Sequence, residues 1–388
     1  MFCCTGRADH VQTPYEQKEG CSCLCGVVRV MILGEPLKTT LCHCQDCRKW
    51  TGSVGQMAVW YHREDVLCSG ELAEFGTSSR VRKSCAECHS HILTSLPRAG
   101  LIEVCVGSAS QLSLNAHFFY VTPMIDFGDD VPKFVDFPAS LGGSGVQASS
   151  WDLHRDVTQA FHGSCLCGSV FVSISGEPKT TAFCHCLVCR SWTGSSGHFA
   201  VVFDEDLVQI SGELISTRHG HRNCARCLAC ITSRHSAAAP GFLEVCGGIL
   251  HSPPRVQAHW NYGQRILSVK DGLAKFKDLP TELGGSGDVL GQEMAAPYAV
   301  TLERKGEGHE DLGLELSFAG RKCRVLKVRR HSLIHDWNQS CACDSVVGIY
   351  DRLISINGRT PTTPEEGEAL GRETGKLVLI FAKFQYFE

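Results

Sequence analysis

Short runs of β-branched and aromatic residues, bounded by glycine and proline, recur along the first three quarters of the chain. Such runs favour β-strands over helices. The clearest ones lie at 27–33, 57–61, 170–174 and 199–203. No long segment of the sequence places apolar residues at helical spacing. The pattern therefore predicts a mainly β protein built from antiparallel sheets and connecting loops.

The strand pattern belongs to a long internal repeat. The segment TTLCHCQDCRKWTGS at 39–53 returns as TAFCHCLVCRSWTGS at 181–195, an offset of 142 residues that holds over most of the repeat. The offset falls to 139 around a later Cys-x-x-Cys pair, so the second copy has lost three loop residues before that pair. A unit of about 125 residues has the size of a whole domain. We call the copies repeat one (19–145) and repeat two (161–287).

The repeat divides the chain into domains. We predict a loose tail at 1–18, the two repeats joined by a linker at 146–160, a second linker at 288–297 and a third domain at 298–388. Within the third domain the pattern predicts strands at 298–305, 312–318, 324–328 and 377–381, and a short helix around 364–370. The tandem fusion is also expected to serve as an intramolecular pair in place of a dimer.

Cysteine is the unusual component of the composition. The chain contains 24 cysteines but opens without the apolar segment of a secretory signal, so we expect a reducing, intracellular (cytoplasmic) compartment and metal sites before disulfides. The net charge is only −4, which gives no electrostatic basis for binding nucleic acid. No run reaches the roughly 18 apolar residues of a membrane span.

Two cysteine pairs in each repeat supply four thiolates. Four such ligands from two short hairpins are typical of a closed, tetrahedral structural zinc. We assign one set to each repeat: Cys23, Cys25, Cys85 and Cys88, then Cys165, Cys167, Cys224 and Cys227. Metal binding of this kind contributes directly to folding.

A Cys-x-Cys-x-x-Cys triplet forms a second candidate metal site in each repeat. The triplets are Cys42, Cys44 and Cys47, then Cys184, Cys186 and Cys189. Three ligands leave one tetrahedral position of a zinc ion open. A zinc ion with three thiolates acidifies water poorly, but it is soft and suits exchange with another thiolate. We therefore expect a thiol substrate at this site.

A fourth protein ligand is the alternative occupant of the open position. His43 and His185 lie inside the triplets but face the opposite side of an extended chain, which favours a supporting or core role. His117 and His259 occupy matching late positions and could approach the site. His91 and Cys230 also match each other, three residues after the second cysteine pair, and are expected to be spare surface residues.

At these residues the chain resembles the family of glutathione-dependent formaldehyde-activating enzymes, together with the related centromere protein V group. The resemblance rests on GSCLCG at 163–168, on the triplets followed by Trp-Thr-Gly-Ser and on the later Cys-x-x-Cys pairs. It covers about two thirds of the chain. It implies a tent-like all-β fold with two zinc ions in each repeat, one structural and one labile and catalytic.

The resemblance also implies an activity. This family joins formaldehyde to the thiol of glutathione, giving S-hydroxymethylglutathione, a carbon–sulfur lyase reaction in the reverse sense. By residue match, Cys44 and Cys186 would face the substrate sulfur. The turn Trp-Thr-Gly-Ser after each triplet is expected to shape the edge of the open position. The chain departs from the family at His89 and Leu228, where glycine is common.

The third domain resembles a PDZ domain, which implies a β-barrel with short helices that captures a C-terminal peptide by strand addition. LGLEL at 312–316 would be the carboxylate-binding loop, and GIYDRLISING at 348–358 matches a further region of that family. Glu315 is expected at a loop position that is normally glycine, where its charge would repel a peptide carboxylate.

Two functions are consistent with these observations. One is a zinc enzyme with two active sites that acts on glutathione, or a related small thiol, and an aldehyde. The alternative is a non-catalytic zinc-binding scaffold that uses the PDZ-like domain to bind a peptide or protein partner. The state of the triplet, open or closed by a fourth protein ligand, discriminates between them.

Overall fold

The computed structural model confirms a mainly β protein. It describes residues 18–109, 112–121, 123–149, 160–234, 241–303, 311–319, 322–329, 331–341, 345–348, 351–373 and 375–386. Residues 1–17 of the predicted tail and 150–159 of the predicted linker lie outside the described residues. The chain forms two compact units, 1–256 with 264–268, and 257–263 with 269–388.

Repeat one folds into two sheets. Its elements are β1 (Lys18–Ser22), β2 (Arg29–Ile32), β3 (Lys38–Cys42), α1 (Gln45–Thr51), β4 (Gln56–His62), β5 (Val66–Ser69), β6 (Leu72–Gly76), β7 (Val81–Cys85), β8 (His91–Leu96), β9 (Leu101–Cys105) and β10 (Ala116–Phe118). One sheet has the order β1-β2-β5 and the other β10-β3-β4-β9-β8-β7-β6. Only the β10–β3 pairing is parallel among these strands.

Repeat two reproduces this arrangement. Its elements in the first unit are β11 (Ala160–Ser164), β12 (Phe171–Ser175), β13 (Thr180–Cys184), α2 (Leu187–Thr193), β14 (His198–Asp204), β15 (Val208–Ser211), β16 (Leu214–Ser216), β17 (Arg222–Cys224), β18 (Cys230–Ser233) and β19 (Phe242–Cys246). They pair in the orders β11-β12-β15 and β16-β17-β18-β19-β14-β13. In the second unit, β20 (Ala258–Trp260) pairs in parallel with β21 (Ala274–Lys275).

Helices α1 and α2 carry the third cysteine of each triplet. Each has seven residues, so it is too short to show helical periodicity in the sequence. The sulfur of the middle cysteine caps the helix by accepting a hydrogen bond from the backbone N–H of the third, at 3.5 Å in α1 and 3.4 Å in α2. Both helices end at a left-handed glycine, Gly52 with φ 66° and Gly194 with φ 65°.

Those two glycines lie where the repeats pack against each other. A Cβ on Gly52 would lie 2.8 Å from the Cβ of Cys246, and a Cβ on Gly194 would lie 2.8 Å from that of His91. A larger residue would therefore separate the repeats. The contact is reciprocal, because the Ser53 hydroxyl donates to the Gly197 carbonyl at 2.7 Å and the Ser195 hydroxyl donates to the Gly55 carbonyl at 2.8 Å.

This placement differs from the one expected for the Trp-Thr-Gly-Ser turn. Ser53 and Ser195 are fully buried in the contact between the repeats, not at the edge of a metal site. Trp50 and Trp192 are also fully buried, and each stacks on a ring of its own repeat, His91 and His221 respectively. The turn therefore joins the repeats.

The third domain contains one five-stranded sheet among the described residues. Its elements are β22 (Gly291–Glu303), β23 (Leu314–Ala319), β24 (Lys322–Val328), α3 (Leu333–Ser340), β25 (Arg352–Ile356), α4 (Pro364–Gly371) and β26 (Lys376–Tyr386). The order is β22-β26-β25-β24-β23. The core includes Val300, Val325, Ile334, Leu379 and Phe381.

Two predictions for this domain need correction. Strand β22 begins inside the predicted linker 288–297, because residues from Gly291 onward pair with β26 and so satisfy their backbone hydrogen bonds. Glu315 does not lie in a loop; it pairs with Lys327 inside β23. The left-handed glycine before that strand is Gly313, with φ 79°. The predicted helix around 364–370 is present as α4, whereas α3 was not predicted.

Candidate metal centres

The structure brings each predicted set of four cysteines together. In both sets the four sulfur atoms lie within 4.8 Å of one another. In repeat one the sulfur atoms of Cys23 and Cys25 lie 3.3 Å apart, and those of Cys25 and Cys85 lie 3.7 Å apart. Repeat two has nearly the same values, 3.5 Å for Cys165–Cys167 and 3.7 Å for Cys167–Cys224. The four-cysteine centres of the two repeats are therefore closely alike.

Hydrogen bonds among these sulfurs favour thiolates at some positions. The hydrogen bond from Cys85 lowers the pKa of Cys88 to about 3. In repeat two, hydrogen bonds from Cys224 and Cys227 lower the pKa of Cys165. The same hydrogen bonds raise the pKa of the partner thiols Cys85 and Cys227. Within each set the cysteines therefore share protons, and a bound metal ion would require all four to be deprotonated.

The residue that follows each Cys-x-x-Cys pair has the left-handed backbone conformation that favours glycine, although neither residue is a glycine. His89 has φ 57° and Leu228 has φ 59°. Left-handed backbone at a residue with a Cβ is strained. At these two positions, where the family commonly has glycine, the turn is therefore retained but its backbone is strained.

The triplets form two further clusters. The three sulfurs of each triplet lie within 4.8 Å of one another, and no histidine nitrogen or carboxylate oxygen joins them in the described ranges. In repeat one Cys42 and Cys47 are buried and Cys44 is partly exposed. In repeat two all three cysteines are buried. The first triplet is thus the more accessible of the two.

The middle cysteine accepts hydrogen bonds in both triplets. Those from Cys42 and Cys47 lower the pKa of the Cys44 thiol to about 3. The hydrogen bond to Cys186 holds the pKa of Cys184 well above its usual value, because Cys184 is then the partner that keeps its proton. The middle sulfur is accordingly the one most readily present as a thiolate.

A charged network lies beside Cys47 in repeat one. Arg80 donates to Glu103 at 2.7 Å, and its guanidinium lies 4.0 Å from the Cys47 sulfur. Gln56 accepts from the Cys47 thiol at 3.5 Å and donates to Glu103 at 3.3 Å. Burial raises the pKa of Glu103, and Arg80 opposes this shift. A cation therefore lies next to the triplet thiolates.

Repeat two has different groups in this region. His198 takes the position of Gln56, since each is paired with the first cysteine of its triplet. Its Nε2 lies 3.8 Å from the Oε2 atom of the fully buried Glu244. The hairpin that carries Arg80 is the one that repeat two has shortened by three residues. In the shortened form, His221 lies flat against Trp192, with ring centroids 4.1 Å apart.

The histidines proposed as possible fourth ligands form a separate buried network. In repeat one, His43 Nε2 lies 2.9 Å from His117 Nδ1, and His117 Nε2 lies 3.0 Å from Asp129. Lys133 donates to Asp129 at 2.7 Å. Burial acts against ionisation of Asp129, but hydrogen bonds from His117 and Lys133 prevail and lower its pKa to about 2. This network holds the Cys-His-Cys segment from behind.

The second unit contains the matching part of that network. His259 Nε2 lies 2.7 Å from Asp271, and the Lys275 ammonium lies 3.3 Å from the same carboxylate. The sequence analysis did not identify either aspartate. Their spacing from the histidine, 12 residues in both repeats, was the available signal.

The prediction that His91 and Cys230 are surface residues is wrong. Both are buried, His91 at 3% and Cys230 at 0% exposure. His91 spans the contact between the repeats, with Nε2 2.9 Å from the Leu228 carbonyl and Nδ1 3.2 Å from that of Thr193. Burial lowers its pKa to about 4. These residues connect the repeats and do not join a cysteine cluster.

Comparison with known families gives one match for each repeat. The family model described as glutathione-dependent formaldehyde-activating enzyme matches residues 18–121 and 160–262. The two matches cover more than half of the 388-residue chain and include every cysteine of the four centres. They end before the third domain, so its PDZ-like character stays a prediction. No curated protein matches the chain.

In the residues that the structure describes, no helix is both long enough and apolar enough to cross a bilayer.

Proposed function

Because the chain belongs to the family of glutathione-dependent formaldehyde-activating enzymes, we propose that its cysteine triplets are zinc sites that join glutathione to formaldehyde. One observation carries the proposal. Each triplet gathers three sulfurs without a fourth protein ligand in the described part of the chain. A zinc ion held in this way has a free position for the thiol of the substrate.

The sulfur geometry fits zinc. With Zn–S bonds of about 2.3 Å, the sulfurs of a tetrahedral site lie about 3.8 Å apart. Four separations in the four-cysteine centres lie between 3.3 and 3.7 Å, and all lie within 4.8 Å. We infer one structural zinc at each of these centres and one exchangeable zinc at each triplet. Zinc at the triplet would supply a positively charged, soft centre that holds the glutathione sulfur as a thiolate.

The reaction conserves all atoms. The glutathione sulfur forms a bond to the carbonyl carbon of formaldehyde, the π-bond electrons move to the oxygen, and the proton released from the thiol ends on that oxygen. The product is S-hydroxymethylglutathione. The reverse reaction breaks the same carbon–sulfur bond, which corresponds to a carbon–sulfur lyase.

The chain's own residues have distinct roles in this proposal. Cys44 and Cys186, the middle residues, would face the substrate sulfur. Arg80 offsets part of the negative charge that three thiolates place in repeat one. The His43–His117–Asp129 network holds the backbone between two ligands, as hydrogen-bonded groups behind metal ligands do.

Binding of glutathione is the first test. Calorimetric titration of the zinc-loaded protein, with zinc content measured before and after, should show saturable binding that perturbs or displaces about one zinc per repeat. The variants Cys44→Ser and Cys186→Ser should each lose the site of one repeat, and the double variant should lose both. Unchanged binding in the double variant would contradict the proposal.

Turnover is the second test. Formation of S-hydroxymethylglutathione from labelled formaldehyde can be followed by NMR against the uncatalysed rate. The double variant should fall to that rate, and a Cys68→Ser control should behave as the parent, since Cys68 is exposed on β5 and belongs to none of the four cysteine clusters. An acceleration that survives in the double variant would place catalysis elsewhere.

A scaffold function is the second candidate, and the third domain supports it. Strand β23 lies at the edge of its sheet, so its outer backbone groups can pair with an added strand. Helix α4 runs alongside, with Gly367 close to Phe318 and Leu316. Glu315 lies within the strand and not in the loop that would hold a carboxylate. Fluorescence anisotropy with C-terminal peptides tests this candidate, and absence of binding by both free-carboxylate and amidated peptides would eliminate it.

A further inference from the structure

Arg190 is a buried cation in helix α2, directly after the last cysteine of the second triplet. Arg190 is only 5% exposed to solvent. Its Nε donates to the His185 carbonyl at 3.0 Å. That carbonyl belongs to the residue between Cys184 and Cys186, two of the three proposed ligands. The guanidinium is therefore fastened to the backbone that sets the spacing of these sulfurs.

The other end of the same guanidinium binds repeat one. Its Nη1 donates to the Gly107 carbonyl at 2.9 Å and to the Ala109 carbonyl at 2.8 Å. Both acceptors lie in the turn that follows strand β9. One planar, rigid group thus connects the ligand segment of repeat two to the backbone of repeat one.

The turn in repeat one is held firmly in place. The backbone N–H of Ala109 donates to Val106 at 2.9 Å, and the Ser108 hydroxyl accepts from the backbone N–H of Ser22 at 3.0 Å. Gly107 lies against α2 so closely that a Cβ would be 2.3 Å from the Arg190 carbonyl oxygen. The acceptors of Arg190 are therefore fixed, and they can orient the group that binds them.

Burial of a guanidinium is costly unless its donors are satisfied. The hydrogen bonds to three carbonyls satisfy three of its five donors.

We propose that Arg190 is a positioning residue of the second triplet, which makes the metal affinity of that triplet depend on the packing of repeat one. This inference rests on one part of the proposed function, namely that the second triplet binds a metal ion. It does not require that the metal centre be catalytic. Repeat one is in this sense part of the metal site of repeat two.

The test measures how fast the second triplet releases zinc. A Cys44→Ser background removes the first triplet, and a chromogenic chelator then extracts the remaining exchangeable zinc. We expect Arg190→Gln to speed this release about 10- to 100-fold, the range typical of residues that support metal ligands. In the reciprocal Cys186→Ser background, Arg190→Gln should change release from the first triplet less than about twofold.

Lys49→Gln is the matched control. The Lys49 ammonium also bridges the repeats by donating to the Ser164 hydroxyl at 2.8 Å, and this acceptor is a side chain outside both triplets. Release in this variant should stay within about twofold of the parent. An equal acceleration in Lys49→Gln and Arg190→Gln would show general loosening of the contact and overturn the inference.

A spectroscopic readout separates positioning from folding. With Co²⁺ at the second triplet, the visible absorption reports ligand geometry, and Arg190→Gln should shift it while the far-UV circular dichroism is retained. If Arg190→Gln does not fold, Arg190→Lys and Gly107→Ala, which disturb the connection from opposite sides, should show the same shift. Unchanged spectrum and unchanged release in these variants would overturn the proposal.

The outcomes also separate this inference from the proposed function. Release and spectrum that respond to Arg190 in a protein without S-hydroxymethylglutathione formation would overturn the enzymatic function and support the positioning role. A parent protein whose second triplet takes up neither Zn²⁺ nor Co²⁺ would overturn both.

Discussion

The two triplets have the same ligand residues at the same spacing, yet they lie in different surroundings. The first is partly exposed at Cys44 and has Arg80 near its third sulfur. The second is buried, faces His198 in place of Gln56, and is connected to repeat one by Arg190. Two triplets with the same three cysteines can therefore differ in reactivity. Residues outside the motif determine how exposed each triplet is to solvent and which charged groups lie beside it.

The difference has an identifiable origin in the sequence. The three residues lost from repeat two shorten the hairpin between β16 and β17, the counterpart of the one that carries Arg80. Without that longer hairpin, the buried Glu244 has His198 as its neighbour, where Glu103 has Arg80. The comparison therefore places a guanidinium beside the buried glutamate of repeat one and an imidazole beside the buried glutamate of repeat two.

The largest expected effect concerns the four-cysteine centres, where the repeats should not differ. Cys88→Ala and Cys227→Ala should each lose one tightly bound zinc and unfold the repeat concerned. The reason is that binding of a structural zinc contributes about 10–16 kcal/mol to the free energy of folding. Native mass spectrometry and thermal denaturation measure both effects, with Cys68→Ala as the control. A large difference between the two repeats would show that their asymmetry extends beyond the triplets.

Removal of Arg80 should have the next largest effect. Arg80→Met leaves Glu103 buried without its cation, at an expected cost of about 3 kcal/mol in the free energy of unfolding. The double variant Arg80→Met/Glu103→Gln should recover most of that loss, because the buried carboxylate left without Arg80 is then replaced by a neutral amide. Urea denaturation of the two proteins gives the answer. Equal destabilisation in both would mean that Arg80 acts through packing and not through charge.

The pH dependence of stability should distinguish His91 from its counterpart Cys230. Folded His91 has a pKa of about 4, against about 6.5 in an unfolded chain. Between these values the unfolded state binds more protons, so stability falls as the pH falls. From pH 7 to pH 5 this amounts to about 2 kcal/mol. The same pH change should therefore destabilise His91→Gln by about 2 kcal/mol less than the parent.

Urea denaturation at the two pH values measures that difference, and Cys230→Ser provides the matched variant. Burial raises the pKa of the Cys230 thiol well above its usual value, so it does not titrate in this range. Its pH dependence should follow the parent. A parent that gains stability between pH 7 and pH 5 relative to His91→Gln would show that His91 is charged and donates from both ring nitrogens.

The smallest effect is expected at the strained turns. His89→Gly removes left-handed strain at a half-buried residue and should stabilise the protein by about 1 kcal/mol. Leu228→Gly relieves the same strain, but it also removes a buried side chain, since Leu228 is only 7% exposed. The lost burial should outweigh the relief of strain and destabilise the protein. Chemical denaturation compares the two. Stabilisation by both variants would mean that Leu228 contributes little to packing.

The sequence predicts the parts of this molecule that depend on local pattern. The strands at 57–61 and 199–203 are present as parts of β4 and β14, and the cysteine spacings identify every sulfur that the structure gathers. Helices α1 and α2 could not be predicted because seven residues show no periodicity. The position of His91 could not be predicted either, because its burial depends on contact with residues more than a hundred positions away.

Other features were visible in the sequence but had no chemical signature of their own. Asp129 and Asp271 follow their histidines at equal distance, but an aspartate in a loop is usually exposed. Arg190 follows the last triplet cysteine just as Arg48 does in repeat one. Only the fold shows that the Arg190 side chain reaches back to the ligand segment and across to another repeat.

The contact between the repeats has a consequence for how such a molecule can change. In a symmetric dimer of identical chains, one substitution at the contact changes both subunits at once. The interface must then accommodate the new residue on both sides. Here one gene encodes both sides, and position 91 holds a histidine while its counterpart, position 230, holds a small thiol. Because both halves belong to one chain, each can change without the other, which is the condition for a division of labour between the two triplets.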